Sequence, residues 1–333
     1  MNRIFIHGYG AVSPAGWGAP ALSQALQRGK PLPVQTLVRP GWEKPLRVRT
    51  VPSAPVRPAF LAHPRLRRAG VMTHHIVAAA LEALGEDATD SLQGNQRIGV
   101  IVCMMAGGVT YSRRFYEEVL KEPATASPLV FPETVFNAPA SHLSAYLKSA
   151  TVNYTMVGDD GMFLQGLALA ADWLEFDQAD ACLVIGAEEM DWIVADAVRL
   201  FGRDTIYTGG AGALYLRKDR ASSAELKTIT DSFSFTQKQS RAEAVEMMAA
   251  ELGDGSADEL LCMGENQPEL FHNHPGRRVA LKPLLGEAFV ASAAWQCVAA
   301  CDAVTQKEHP TALVSVSGAN QQAIGARFFS NRV

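Results

Sequence analysis

Charge is scarce in this 333-residue chain: Lys, Arg, Asp and Glu together make up 19% of it, and 30 cations against 34 acids leave a net charge of −4. That balance gives no electrostatic case for nucleic acid or an anionic membrane as a partner. Long apolar runs are also missing. No window reaches the roughly 18 apolar residues of a membrane span, and Ile4-Phe5-Ile6 turns glycine-rich too soon to be the core of a signal peptide. The five cysteines (103, 182, 262, 297 and 301) show no Cys-x-x-Cys and no Cys/His ligand spacing, which points to buried thiols in a reducing, cytoplasmic compartment. His74 and His75 occupy adjacent helix positions that face different ways, and His272-x-His274 has no third ligand, so neither a metal nor a cofactor is expected.

What the chain does have is apolar residues, 48% of the total, in short runs that alternate between strand and helix patterns. This is the signature of an α/β protein with buried sheets, built as one large domain or two closely packed ones. Strands are predicted at 3–12, 97–104, 151–157, 181–186 and 214–216, the last entered through Gly209-Gly210-Ala211-Gly212-Ala213. Helices are predicted at 21–27, 71–84, from about 109 through Leu120, 137–148 and 162–174, the last so apolar that it must be buried on most sides. From Leu226 a shorter second set follows: a strand at 226–235, a helix at 241–252, strands near 259–263 and 278–282, a small-residue helix at 287–304, and strands at 311–317 and 323–329. The division falls at 1–219 and 220–333, and the second set echoes the first. Residues 39–68 stand apart, with eight Lys or Arg against Glu43 alone and six prolines, and read as an extended, irregular basic surface segment.

The order of motifs resembles the β-ketoacyl synthases. Ile6-His7-Gly8-Tyr9-Gly10-Ala11-Val12-Ser13-Pro14-Ala15-Gly16 is similar to their opening strand and turn, and Arg65 to Leu84 to their Arg-rich lead into an Ala-rich helix. Arg97-Ile98-Gly99-Val100 looks like their second strand, and Phe136 to Ser144 like the helix beside the active site. Gly158 to Gly186 resembles the nucleophile turn, its buried helix and the next strand, with Asp180-Ala181-Cys182-Leu183-Val184-Ile185-Gly186-Ala187-Glu188 very close to the family pattern. The resemblance implies the thiolase-like fold, two similar βαβαβαββ halves in five layers, α-β-α-β-α. The second half is the shortened one.

It also shows what is gone. A ketosynthase needs a thiolate at a helix N-terminus to accept an acyl group from a carrier thioester. The resemblance places Asp159 at that cysteine, followed by Asp160, and a carboxylate is a poor nucleophile toward a thioester. Of the two histidines the family uses to stabilise its enolate and oxyanion, one position is Glu287, reached through the retained Lys282 and Gly286, and the other falls near Gly264 in Cys262-Met263-Gly264-Glu265-Asn266-Gln267. The loop Ser317-Gly318-Ala319-Asn320 lacks the family's Gly-Phe-Gly-Gly gate.

These departures imply a catalytically inactive relative of the chain length factors, pairing with an active ketosynthase in type II fatty acid, polyketide or aryl polyene synthesis. Phe136, Met162 and Phe163 are its candidate tunnel residues, with core packing as their ordinary alternative. Arg47, Arg49, Arg65, Arg67 and Arg68 are candidates for docking an acyl carrier protein, with a solvated loop as theirs. Two other readings stand beside it. Asp159 or Asp160 with Glu287 could form a new acid/base pair acting on an acyl thioester, unless the aspartates simply cap the following helix. The chain could instead be a non-catalytic homodimer, and in either dimer the 151–157 strand is the expected edge.

Overall fold

The alternating pattern is realised in a computed structural model that describes residues 3–148, 150–236, 238–265, 274–319 and 321–331. Ten strands carry the fold. The first five are β1 (Ile4–Ser13), β2 (Ile98–Met104), β3 (Ala150–Val157), β4 (Ala181–Glu188) and β5 (Gly210–Arg217). The second five are β6 (Ala224–Ile229), β7 (Glu259–Met263), β8 (Arg277–Ala280), β9 (Thr311–Ser317) and β10 (Gln322–Ser330). β2 and β4 are buried at every position, and their near-continuous Val, Ile, Leu and Cys content is what a strand covered on both faces requires. The main helices are α1 (Ala19–Arg28), α2 (Val71–Leu84), α3 (Val109–Lys121), α4 (Ala138–Leu147), α5 (Met162–Glu175), α6 (Trp192–Phe201), α7 (Arg241–Leu252) and α8 (Phe289–Thr305). α7 starts on a capping box in which Ser240 and Glu243 exchange hydrogen bonds, so its first turn is fixed by local sequence.

The two sets of strands have one topology. The first runs β3-β2-β4-β5-β1, with β3, β2 and β4 parallel and β5 and β1 antiparallel; the second runs β8-β7-β9-β10-β6 with the same senses. They join edge to edge where Ile4 and Ile6 of β1 pair with Leu226 and Ala224 of β6. α5 and α8 lie between the two sets, α2 and α4 cover the outer face of the first, and α7 covers that of the second. The result is the thiolase-like α-β-α-β-α layering. The second half is short mainly in two connections: β1 reaches β2 through residues 14–97 but β6 reaches β7 through 230–258, and β2 reaches β3 through 105–149 whereas β7 reaches its parallel neighbour β8 through 264–276.

Several expectations are corrected. Residues 39–68 are neither wholly irregular nor wholly at the surface. Gln35–Leu37 pairs with Leu46–Val48 as a hairpin, short 3-10 turns form at Ala59–Ala62 and Leu66–Arg68, and Leu46, Val48, Phe60 and Leu66 are buried. The apolar residues between the cations find cover, and two of the cations go in with them. Arg39 pairs with Asp196, and Arg49 donates to the Leu32 carbonyl. The glycine run expected before β5 forms part of it from Gly210 onward, because helix α8 packs against that stretch. The strand expected at 226–235 ends at Ile229, and Phe233–Ser234 pairs separately with Ala323 and Gln322. Helix α6 was not anticipated, although Asp191 supplies a sequence-readable cap by accepting from the Ile193 N–H at 2.9 Å.

Glycines set the distance between α8 and the first sheet. A Cβ on Gly212 would lie 2.8 Å from the Ala294 Cβ, and one on Gly186 2.7 Å from the Val290 carbonyl oxygen. Gly212→Ala therefore overpacks this contact and is expected to cost about 1–3 kcal/mol. A lower urea midpoint at unchanged slope checks it.

Candidate functional site

The turn between β3 and α5 presents two adjacent aspartates that face opposite ways. Asp159 Oδ1 accepts from the Gly161 N–H at 3.2 Å and from Gln322 Nε2 at 3.1 Å, and Oδ2 accepts from the Gln321 N–H at 3.0 Å. Gly318 packs so closely that a Cβ there would overlap Asp159 Oδ2. Asp159 therefore ties the β9–β10 turn to the start of α5. It is the neighbouring Asp160, 1% exposed, that faces the site, where its Oδ2 accepts from Lys282 Nζ at 2.7 Å. Lys282 also contacts Glu287 Oε2 at 2.7 Å, and Glu287 Oε1 accepts from the Phe289 N–H at 2.7 Å. Gly264 closes this group by accepting from the Lys282 N–H at 2.9 Å. Of the four degenerate positions, the structure brings Asp160, Gly264 and Glu287 together around Lys282 and turns Asp159 away.

A second carboxylate row, unnoticed in the sequence, backs this triad. Glu188, at the end of β4, accepts from the Met105 N–H at 2.6 Å and the Ala106 N–H at 3.1 Å. Glu189 accepts from the Thr110 N–H at 2.9 Å, so the two glutamates hold the loop leading into α3. Their position at the end of an all-apolar strand was the available signal. Burial, aided by the charges of Asp160 and Glu287, pushes Glu188 up to about 8. Burial likewise raises Glu287, against the opposing pull of Lys282. For Lys282, burial alone would favour the neutral amine, but Asp160 and Glu287 outweigh it and hold the ammonium above its ordinary range.

No cysteine of the chain offers an exposed thiolate. All five cysteines are buried, and burial pushes Cys182 and Cys262 up to about 12 and raises the other three as well. The histidines are also accounted for: His274 lies against Glu259 Oε2 at 3.2 Å, His74 bonds to the Leu66 carbonyl, and His75 is buried against Trp17. His272, Asn266 and Gln267 fall outside the described residues. Among the described residues no cluster of three or more His, Cys, Asp or Glu has metal-binding geometry.

Beside the triad opens a cleft of about 560 Å³. Ile193, Ala197 and Phe201 of α6 form one wall, Val109 and Phe289 line it further, and Lys282 and Glu287 stand at its inner end, with Arg241 and Glu265 also along it. Of the tunnel candidates, Phe163 is fully buried in the central core, where it approaches Gly186, Met162 folds its Cε against Gly158, and Phe136 is 44% exposed with its ring on Gly107. Among the basic candidates Arg47, Arg65, Arg67 and Arg68 are exposed. Arg49 is buried and spent on a carbonyl, which corrects its assignment as a docking residue.

No family model matches the sequence, and no curated protein matches it. Solved ketosynthases and ketosynthase/chain length factor proteins match it along its length. The ishigamide ketosynthase/chain length factor aligns with a TM-score of 0.80 at 17% identity, covering 99% of this chain and 100% of that one. A type II polyketide ketosynthase, bound to a hexaketide and in complex with its acyl carrier protein, gives 0.80 at 16% identity over 99% of both chains. A ketosynthase from Xenorhabdus doucetiae in complex with its chain length factor gives 0.78 at 14%, covering 99% of this chain and 98% of that one. The chain therefore has the ketosynthase fold. No helix among the described residues is long and apolar enough to cross a membrane.

Two outcomes test the electrostatics. The Glu188 carboxyl binds its proton more tightly folded, at about 8, than at its ordinary 4.5, so its contribution to stability is full below the lower value and lost as pH rises through the higher. Melting temperature is expected to fall between about pH 4.5 and pH 8, and Glu188→Gln to flatten that fall. Lys282→Met strands two buried carboxylates and is expected to cost about 3–5 kcal/mol, read by chemical denaturation.

Proposed function

We propose that this chain is a ketosynthase-like partner subunit without ketosynthase chemistry of its own, of the chain length factor type, serving an active ketosynthase in type II fatty acid, polyketide or aryl polyene synthesis. The observation that carries this is the Asp160–Lys282–Glu287 triad. The family resemblance calls for a nucleophile at Asp159 and a hydrogen-bond donor at Glu287, but Asp159 is a carboxylate turned into the β9–β10 turn, and its neighbour Asp160 and Glu287 are both carboxylates locked to one ammonium. Neither can attack a thioester and regenerate it as a thiolate does.

The open edge of the sheet supports the partnership. β3 pairs only with β2 among the described residues, and Tyr154 on it is 54% exposed, with Val157 and Phe136 also exposed. An unpaired edge flanked by apolar side chains is a template for another chain. A ketosynthase with a matching edge is the occupant we favour, and a second copy of this chain is the alternative. Arg47, Arg65, Arg67 and Arg68 offer exposed cations for an acidic acyl carrier protein. The acid/base reading is weaker, because Asp160 and Glu287 share one lysine instead of standing free with separated proton affinities.

Co-expression with ketosynthases from the same genome tests the proposal. A one-to-one complex that elongates carrier-bound acyl chains is expected, dissociated by Tyr154→Arg. Its product length should change with Phe136→Ala, while Asp160→Asn leaves the elongation rate unchanged. A stable homodimer indifferent to every ketosynthase, or acyl-thioester turnover by the isolated chain that Asp160→Asn abolishes, would defeat it.

A further inference from the structure

Arg49 carries a charge that the chain itself leaves unanswered. The residue is 4% exposed, so its guanidinium is largely withdrawn from water. Of its side-chain nitrogens only Nε has a partner among the described residues, the Leu32 carbonyl at 2.9 Å, and no carboxylate pairs with the group. Burial pulls its pKa down, and the neighbouring Arg47 cation pulls it the same way. Arg39, the other buried arginine among the described residues, is answered by Asp196. A buried cation without an acid is costly to keep, and an anion from outside the chain would offset that cost.

The backbone fixes where such an anion would meet it. The Arg49 N–H donates to the Tyr207 carbonyl at 3.0 Å, and the Glu287 N–H donates to the Ile206 carbonyl at 2.8 Å, so the short stretch 206–207 holds Arg49 and the triad's Glu287 in fixed relation. Beside them opens a pocket of about 220 Å³, lined by Arg49, Thr205, Lys282 and Glu287, with the exposed Asp204 and Glu265 at its rim. It is smaller than the roughly 300–1,000 Å³ that drug-sized ligands occupy, which suits a small ion. Lys282 is already matched by Asp160 and Glu287, and Arg49 is therefore the uncommitted cation of this pocket.

The lining also sets the charge of the ligand. The terminal nitrogens of a guanidinium form a planar fork that fits the two oxygens of a carboxylate. Asp204 and Glu265 at the rim repel an entering anion in proportion to its charge, so a singly charged ion is favoured over a doubly charged one. We infer that Arg49 anchors a small, singly charged carboxylate in this pocket, and that doubly charged oxyanions are disfavoured there. The site belongs to the isolated chain and does not depend on the partner-subunit reading.

The probe is trifluoroacetate, followed by fluorine NMR as the full chain is added at about pH 7 and constant ionic strength, with acetate and sulfate as competitors. A saturable shift is expected that acetate displaces, with sulfate at least about tenfold less effective. Arg49→Gln should abolish the shift. Arg49→Lys keeps the charge but loses the fork, and should weaken binding about tenfold in a chain that stays folded. Glu265→Gln, at an exposed position, should narrow the gap by improving sulfate. Absence of a saturable shift, sulfate as effective as acetate, or binding that is undiminished in Arg49→Gln or in Arg49→Lys would each overturn the inference.

Discussion

Burial of helix α8 between the two sheets is the constraint on which the rest of the structure depends. Fourteen of its 17 residues are buried, and it touches strands of both halves. A helix in that place can present nothing large to a sheet lying directly against it, which is why its sequence is Phe-Val-Ala-Ser-Ala-Ala-Trp-Gln-Cys-Val-Ala-Ala-Cys and why glycine faces it at 186 and 212. The one large exception, Trp295, is accommodated because its indole N–H donates to the Ala211 carbonyl at 3.0 Å. Cys297 and Cys301 are explained by the same demand for small apolar groups and need no redox role.

From that packing the site follows. α8 begins immediately after Glu287, and Lys282 precedes it by only a few residues, so the depth of α8 fixes how far both reach toward the start of α5. Asp160 then meets Lys282 where both side chains have little exposed surface. The resulting carboxylates are held by hydrogen bonds and one ammonium, and the loop into α3 is bound to Glu188 and Glu189. A buried group of this kind is rigid and costly to disturb, because removing its single cation leaves charge unpaired in a low-dielectric interior. Rigidity suits a scaffold that must present a fixed edge and a fixed cleft, and it suits poorly a centre that must cycle through charged intermediates.

Much of this was legible in the sequence, for identifiable reasons. The bounds of α2, α7, β7 and β9 coincide with their pattern because strong periodicity, a capping box or abrupt polar flanks mark them. The layered fold was legible through the order of motifs. The basic segment was misread because its prolines and arginines hid Leu46, Val48, Phe60 and Leu66, which are buried in clusters shared with other elements. The orientation of Asp159 and Asp160 was not legible at all. Two identical side chains in a row are told apart only by Gln321 and Gln322 on one side and Lys282 on the other, all more than a hundred residues away. Lys282 and Glu287 stand out in the sequence, while their pairing with one another needed the three-dimensional arrangement.

The edge and the site are one piece of chain. β3 ends at Val157 and continues directly through Gly158 into Asp159 and Asp160, so whatever pairs with the outer edge of β3 binds a strand whose end is anchored by Asp159 to the β9–β10 turn and by Asp160 to Lys282. In the partner-subunit reading this gives the lost chemistry a structural successor. In that reading the aspartates brace the strand against both halves of the fold, and a ketosynthase docked on that strand would meet an unyielding surface with Phe136 beside it. Shape presented at a stiff edge is enough to bound a growing chain by steric contact alone, and it requires no catalytic group on this side of the interface.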